Sequence, residues 1–159
     1  MRIFKKHSGQ ATVTYAEALD QALCFGWIDG QRKPYDALSW IQRFTPRRPR
    51  SAWSKLNTQH AERLIKAGQM MRAGLKAAED AKADGRWQAA YDSARNATPP
   101  ADFLKALGRN KRAKAFFETL SGANVYAIVY RLQTAKKPET RARRMQQILA
   151  MLDRGEKFH

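Results

Sequence analysis

Three stretches in the C-terminal half of the chain repeat one spacing. Ala113, Phe116, Phe117 and Leu120 fall at i, i+3, i+4 and i+7, as do Val125, Ile128, Val129 and Leu132. Met145, Ile148, Leu149 and Leu152 follow the same period. Side chains placed this way line one face of a helix, so each stretch predicts an amphipathic helix with a stripe to bury. Stacking the stripes against one another predicts a helical bundle. The start signals agree: Asn110 and Ser121 stand at N-cap positions and Pro138 at a first-turn position. A chain of 159 residues is long enough for one domain, residues 1–159, that hides roughly 70% of its unfolded surface without a disulfide or metal staple.

The first third has a different texture. Ile3 to Lys6 reads as a short strand and His7 to Gln10 as a turn. Thr14 with Glu17 has the spacing of a capping box, and Leu19, Ala22 and Leu23 continue a helix that Gly26 ends. Trp27 to Asp29 predicts a strand entering a turn through Gly30, with Leu38 to Thr45 returning as its partner. Pro46 and Pro49 close this section, since neither can donate to a ladder. Further helices follow: one capped by Ser54 and stopped at Gly68, one from about 73 to 83, and one opened by Pro99 and Pro100 with Phe103, Leu104 and Leu107. The expected fold is therefore α+β and mostly helical. A small antiparallel sheet of two or three strands packs on a helix within residues 1–50, and a helical bundle occupies residues 51–159.

Composition narrows the function. The hydrophobic share of 43% supports a packed core, and the apolar runs, such as Ala22 to Ile28, fall far short of a membrane span. Met1 to Lys6 is basic with no apolar stretch behind it, so no signal peptide is expected, and a cytoplasmic location follows. Cys24 is the single cysteine; lying between Leu23 and Phe25, it reads as a small buried hydrophobe. His7, His60 and His159 are scattered, so no metal site is expected, and no catalytic signature or cofactor motif is present. Lys plus Arg exceed Asp plus Glu by 30 to 14, a net charge of +16 that attracts polyanions. Lys136, Lys137, Arg143 and Arg144 form one basic cluster suited to non-specific nucleic-acid binding, although no sequence-specific recognition motif accompanies it.

The segment Arg43-Phe44-Thr45-Pro46-Arg47-Arg48-Pro49-Arg50-Ser51-Ala52-Trp53 concentrates the remaining signal. Prolines stiffen it, so its guanidiniums lose less entropy on meeting phosphate or carboxylate. The helix N-terminus after Ser54 adds a positive dipole end, and Trp53 and Phe44 offer stacking faces. The same segment also reads as a rigid loop with Trp53 in the core and the arginines on local acids or carbonyls. Asp29 either caps its turn or holds one of these arginines. Arg141 shares a helix face with Met145, Ile148 and Leu149, so it must lie beyond the packed region or be paired, with Asp29, Asp84 or Glu139 as candidates.

Taken together, Glu17 to Gly30, Arg43 to Asn57, Lys82 to Trp87 and Glu139 to Arg144 resemble the YdeI/OmpD-associated family, also described as bacteriocin-protection proteins. The resemblance implies protection against bacteriocins or cationic peptides and association with an outer-membrane porin; a stress-response role is expected as the alternative to resistance. It brings no established reaction, cofactor or catalytic residue. Members of that family usually carry a further helix and a tryptophan-containing strand before the stretch around Phe4-Lys5-Lys6. The resulting expectation is a non-enzymatic protein that binds a small anion or an acidic partner protein through Asp29, Arg43, Phe44, Arg47, Arg48, Trp53, Asn57 and Arg141.

Overall fold

Thr14 opens the first helix as its spacing predicts: its hydroxyl accepts from the Glu17 amide at 3.2 Å, and the Glu17 carboxylate accepts from the Thr14 amide at 2.7 Å. In the computed structural model, which describes residues 1–94 and 96–158, this helix α1 (Tyr15–Cys24) follows strand β1 (Arg2–Phe4) and a 3-10 turn, Lys6–Ser8. Strands β2 (Trp27–Pro34) and β3 (Ser39–Pro46) come next, then helices α2 (Lys55–Lys66), α3 (Arg72–Ala83), α4 (Ala101–Leu107), α5 (Lys111–Phe117), α6 (Gly122–Gln133) and α7 (Pro138–Asp153). Seven helices and one antiparallel sheet among the described residues make the protein α+β and mostly helical.

The sheet runs β1-β3-β2, with β3 central; Ile3 lies opposite Trp40 and Asp29 opposite Phe44. The reversal comes later than the sequence suggests. Gly30 does not turn the chain: β2 continues to Pro34, and residues 35–38 make the turn, where Asp36 accepts from the Leu38 amide at 2.9 Å and the Ser39 hydroxyl at 2.6 Å. Gly30 instead sits in an irregularity of the ladder between Asp29 and Arg32.

The chain divides into two compact units, Met1–Ala90 and Tyr91–His159. The division falls at residue 90 rather than 50, because α2 and α3 belong to the sheet's unit. Ala61, Leu64 and Ala81 join Leu19, Leu23, Cys24 and Trp53 in one buried cluster. Close backbone approach locks α3 to the end of α1: a Cβ on Gly74 would meet the Cys24 carbonyl oxygen at 2.3 Å. Gly26, which ends α1 with φ near +72°, likewise leaves no room, since its Cβ would lie 2.9 Å from the Ala73 carbonyl oxygen.

The second unit is built from α4 to α7 around Phe103, Leu107, Ala113, Ile128, Leu132, Ile148 and Leu152. Asn110 and Ser121 cap α5 and α6 as expected, and Pro138 begins α7. The Asn110 amide nitrogen also donates to the Asp153 carboxylate at 3.0 Å, tying the start of α5 to the end of α7. On α4, Phe103 and Leu107 are buried while Leu104 is exposed. No helix of the described residues is long and apolar enough to cross a membrane.

Candidate functional site

Strand alternation separates the first two candidates. Successive side chains on β3 point to opposite faces. Phe44 packs against the core of the first unit, beside a recess of about 380 Å³ lined by Ala18, Ala22, Phe25 and Trp27. Arg43 is exposed and lines a different recess, of about 470 Å³, with Thr45, Pro46, Arg48 and Ser51. Phe44 is therefore not a stacking face for the arginine segment.

The segment after β3 folds back on its own backbone. The Arg48 amide donates to the Ser51 hydroxyl at 3.0 Å, and the Ser51 amide to the Arg48 carbonyl at 2.9 Å. Arg47 Nη1 donates to the Ala52 carbonyl at 3.1 Å, while the guanidinium carbon stands 3.5 Å from the centroid of the Trp53 ring. Trp53 is 1% exposed and lies 4.8 Å from the Trp87 ring. It does not wall an open site; Arg47 covers its face. This geometry is that of the rigid-loop reading, with the indole in the core and one arginine held by a carbonyl and a ring.

Around this segment lies a recess of about 350 Å³, lined by Arg47, Arg48, Pro46 and Pro49 from the loop and by Lys76, Asp80 and Arg86. Arg86 was not singled out from the sequence. It is 6% exposed, with Nε bound to the Asp84 carboxylate at 2.6 Å and Nη1 to the Ser51 carbonyl at 3.0 Å. The signal that could have found it is Asp84-Gly85-Arg86, where Gly85 has φ near +77° and turns the arginine back toward its own acid. Lys76 and Asp80 pair one helical turn apart at 2.9 Å. Four cations and one carboxylate line the recess; Arg86 is already paired with Asp84 and Lys76 with Asp80, so Arg47 and Arg48 carry its net positive charge.

Asp29 does not orient these arginines. Its carboxylate accepts from the Tyr15 hydroxyl at 2.8 Å and from the Asn57 side-chain amide at 3.3 Å. Asn57 is buried in the first turn of α2, where its backbone amide donates to the Ser54 hydroxyl at 3.1 Å. Asp29 and Asn57 therefore form a brace between β2 and α2, away from the loop's hydrogen bonds. Arg141 belongs to the second unit, and its partner is Asp102, which none of the sequence candidates anticipated. The pair is bidentate, with Nη2 donating to Oδ1 at 2.9 Å and Nη1 to Oδ2. The Arg141 hydrogen bond is the largest influence on Asp102 and holds its carboxyl below the usual range.

In the basic cluster Lys136, Lys137 and Arg143 are exposed, but Arg144 turns inward. Its Nη1 donates to the Arg131 carbonyl at 2.7 Å, satisfying a free carbonyl at the end of α6. Cys24 is 3% exposed, and burial pushes its thiol up, so it is poorly suited to nucleophilic work. His60 engages Asp20 at 2.7 Å, His7 is exposed, and His159 lies outside the described residues.

Two family models match the chain. Residues 1–77 match one described as a domain of unknown function (DUF8412). No curated protein and no solved structure matches the chain. The first match covers the sheet and reaches into α3, so it takes in the motifs at 17–30 and 43–57; the motif at 82–87 lies between the two matched stretches. Residues 96–155, which contain α4 to α7, match the model described as bacteriocin-protection, YdeI or OmpD-associated, which supports the family that the sequence motifs resemble.

Proposed function

We propose that this protein is a non-enzymatic resistance protein of the bacteriocin-protection type, acting in the cytoplasm by holding an anionic ligand or an acidic partner against its arginine loop. The observation that supports this most is the recess of about 350 Å³ where Arg47, Arg48 and Arg86 converge. Arg47 and Arg86 are held by carbonyl oxygens at 3.1 Å and 3.0 Å, so they are preorganised and lose little entropy on binding. Arg48 is exposed and also lines the neighbouring recess with Arg43, so an elongated anion can meet Arg43 and Arg48 together.

A thermal-shift series with inorganic phosphate, pyrophosphate and polyphosphate tests this. An anion at 100 times its Kd adds about 2.7 kcal/mol of stability. Arg48→Ala, which removes an exposed side chain, should abolish that gain without lowering the unliganded melting temperature. Stabilisation that survives in Arg48→Ala, or is absent with every anion, defeats the proposal. Duplex DNA separates the nucleic-acid alternative, whose affinity rests on Lys136, Lys137 and Arg143 and should fall by orders of magnitude between about 50 and 200 mM salt.

A further inference from the structure

On a regular strand, residues three apart point to opposite faces. Asp29 and Arg32 do not obey this rule. Asp29 lies opposite Phe44 and Arg32 opposite Gln42, so Gly30 and Gln31 together face the single residue Arg43. The extra residue is a bulge, and it returns Arg32 to the face that carries Asp29. The bulge is built in, because Gln42, only 3% exposed, donates its side-chain amide to the Gly30 carbonyl at 2.9 Å and the Arg43 carbonyl at 3.2 Å.

The result is a recess of about 440 Å³ lined by Tyr15, Asp29, Gly30, Arg32, Trp40 and Gln42, a volume within the range of small-molecule sites. It holds one carboxylate and one guanidinium, yet neither is the other's partner. Asp29 is fixed by the Tyr15 hydroxyl and the Asn57 amide at 2.8 Å and 3.3 Å. Arg32 stands over the Trp40 ring, 4.4 Å from its centroid. Trp40 adds a third group, since its Nε1–H is buried with no acceptor among the described residues, where buried donors nearly always have one.

We propose that this recess binds a small zwitterion with the ammonium and carboxylate of a free α-amino acid. The ammonium meets Asp29, whose two existing hydrogen bonds leave acceptor sites on both oxygens. The carboxylate meets Arg32 and accepts from the Trp40 indole. Asp29 and Arg32 oppose β3 residues two apart, about 7 Å along the strand, which suits such a molecule with a hydrogen bond at each end. This site is separate from the arginine loop and stands or falls independently of it.

The test follows the indole signals of the full chain in proton–nitrogen correlation spectra, with the Trp40 signal assigned by its loss in Trp40→Phe. The protein is titrated with single L-amino acids up to about 10 mM, beyond the weak end of specific binding. Each amino acid is compared with its amide and its des-amino acid. At least one amino acid should shift the Trp40 signal saturably, and loss of either charge should weaken binding about tenfold or more. Arg32→Gln, an exposed position, and Asp29→Asn should each weaken it as much, while Arg48→Ala leaves it unchanged. Absence of a saturable shift for every amino acid, equal binding of an amide or des-amino analogue, or unchanged binding in Arg32→Gln overturns the proposal; Arg32→Gln decides even if Asn at 29 loosens the fold.

Discussion

The two units are held together by different kinds of contact. The second unit's core is built from stripes that repeat every three or four residues, closed by caps only three residues from their targets. Only its rim is tied by distant polar pairs, Arg141 to Asp102 and Asn110 to Asp153. The first rests on groups far apart in the chain: Asp29 on Asn57, Arg86 on Ser51, and the Gly74 backbone on Cys24. All four recesses described above lie in that first unit. Local periodicity makes a scaffold, whereas long-range polar contacts leave shaped, charged hollows between elements. The tryptophans, at 27, 40, 53 and 87, all belong to the first unit. Their fluorescence therefore follows that unit, while far-UV circular dichroism follows the helices of both.

The largest expected effect tests whether the second unit's core stands on its own. Phe103 is fully buried and meets the Phe117 ring edge-on at 5.7 Å. Phe103→Ala should cost about 3–5 kcal/mol. In a denaturant titration, part of the circular dichroism should then be lost before the tryptophan emission changes. Coincident transitions would show instead that the chain unfolds as one cooperative body.

A glycine pair sharpens the comparison next. Gly74→Ala forces a Cβ to 2.3 Å from the Cys24 carbonyl and 2.6 Å from that of Leu23. Overpacking of this kind costs about 1–3 kcal/mol or more, and the loss should appear in tryptophan fluorescence. At Gly122, in the first turn of α6, a Cβ meets nothing within 4 Å. Gly122→Ala should be neutral or stabilise by up to about 1 kcal/mol. Equal effects at the two glycines would contradict the close approach of α1 and α3. A cap comes after these: Asn110→Ala removes both the α5 cap at 3.0 Å and the bond to Asp153 at 3.0 Å, for about 1–2 kcal/mol. Thermal unfolding followed by circular dichroism reads that loss.

What could be read in advance follows the same division. Thr14, Ser54, Asn110 and Ser121 cap where the sequence places them, because a cap involves a side chain and an amide three residues away. The turn at 35–38 was hidden, since Gly30 is the stronger turn residue and only the ladder shows that it serves a bulge. Arg141 was legible as a charge needing a partner, but its acid lies 39 residues earlier, on α4. Strand period explains why Arg43 and Phe44, adjacent in the sequence, serve different faces. Arg86 and the hold of Asn57 on Asp29 needed the tertiary fold, because nothing within a few residues of either points to its distant partner.

The smallest effect is acid sensitivity, which also distinguishes the units. Burial pushes the Asp20 carboxyl up, but hydrogen bonds from His60 and Arg63, with their charges, outweigh it and leave the pKa below 3.8. Asp102 is lowered chiefly by its Arg141 hydrogen bond. A carboxylate whose pKa is lower in the folded state releases its proton more readily there. It contributes stability above its unfolded pKa and loses that contribution as pH falls through the folded value. Both pairs should therefore hold at neutral pH and weaken below about pH 4. Asp102 is 53% exposed, and solvent screens its pair to no more than about 1 kcal/mol, whereas the Asp20 side chain is 23% exposed and shielded better. Asp20→Asn should flatten the acid limb of the tryptophan-monitored stability curve more than Asp102→Asn flattens the limb followed by circular dichroism. The reverse order would mean that the bidentate geometry of Arg141 outweighs burial, and that the helical unit carries the more consequential ion pair.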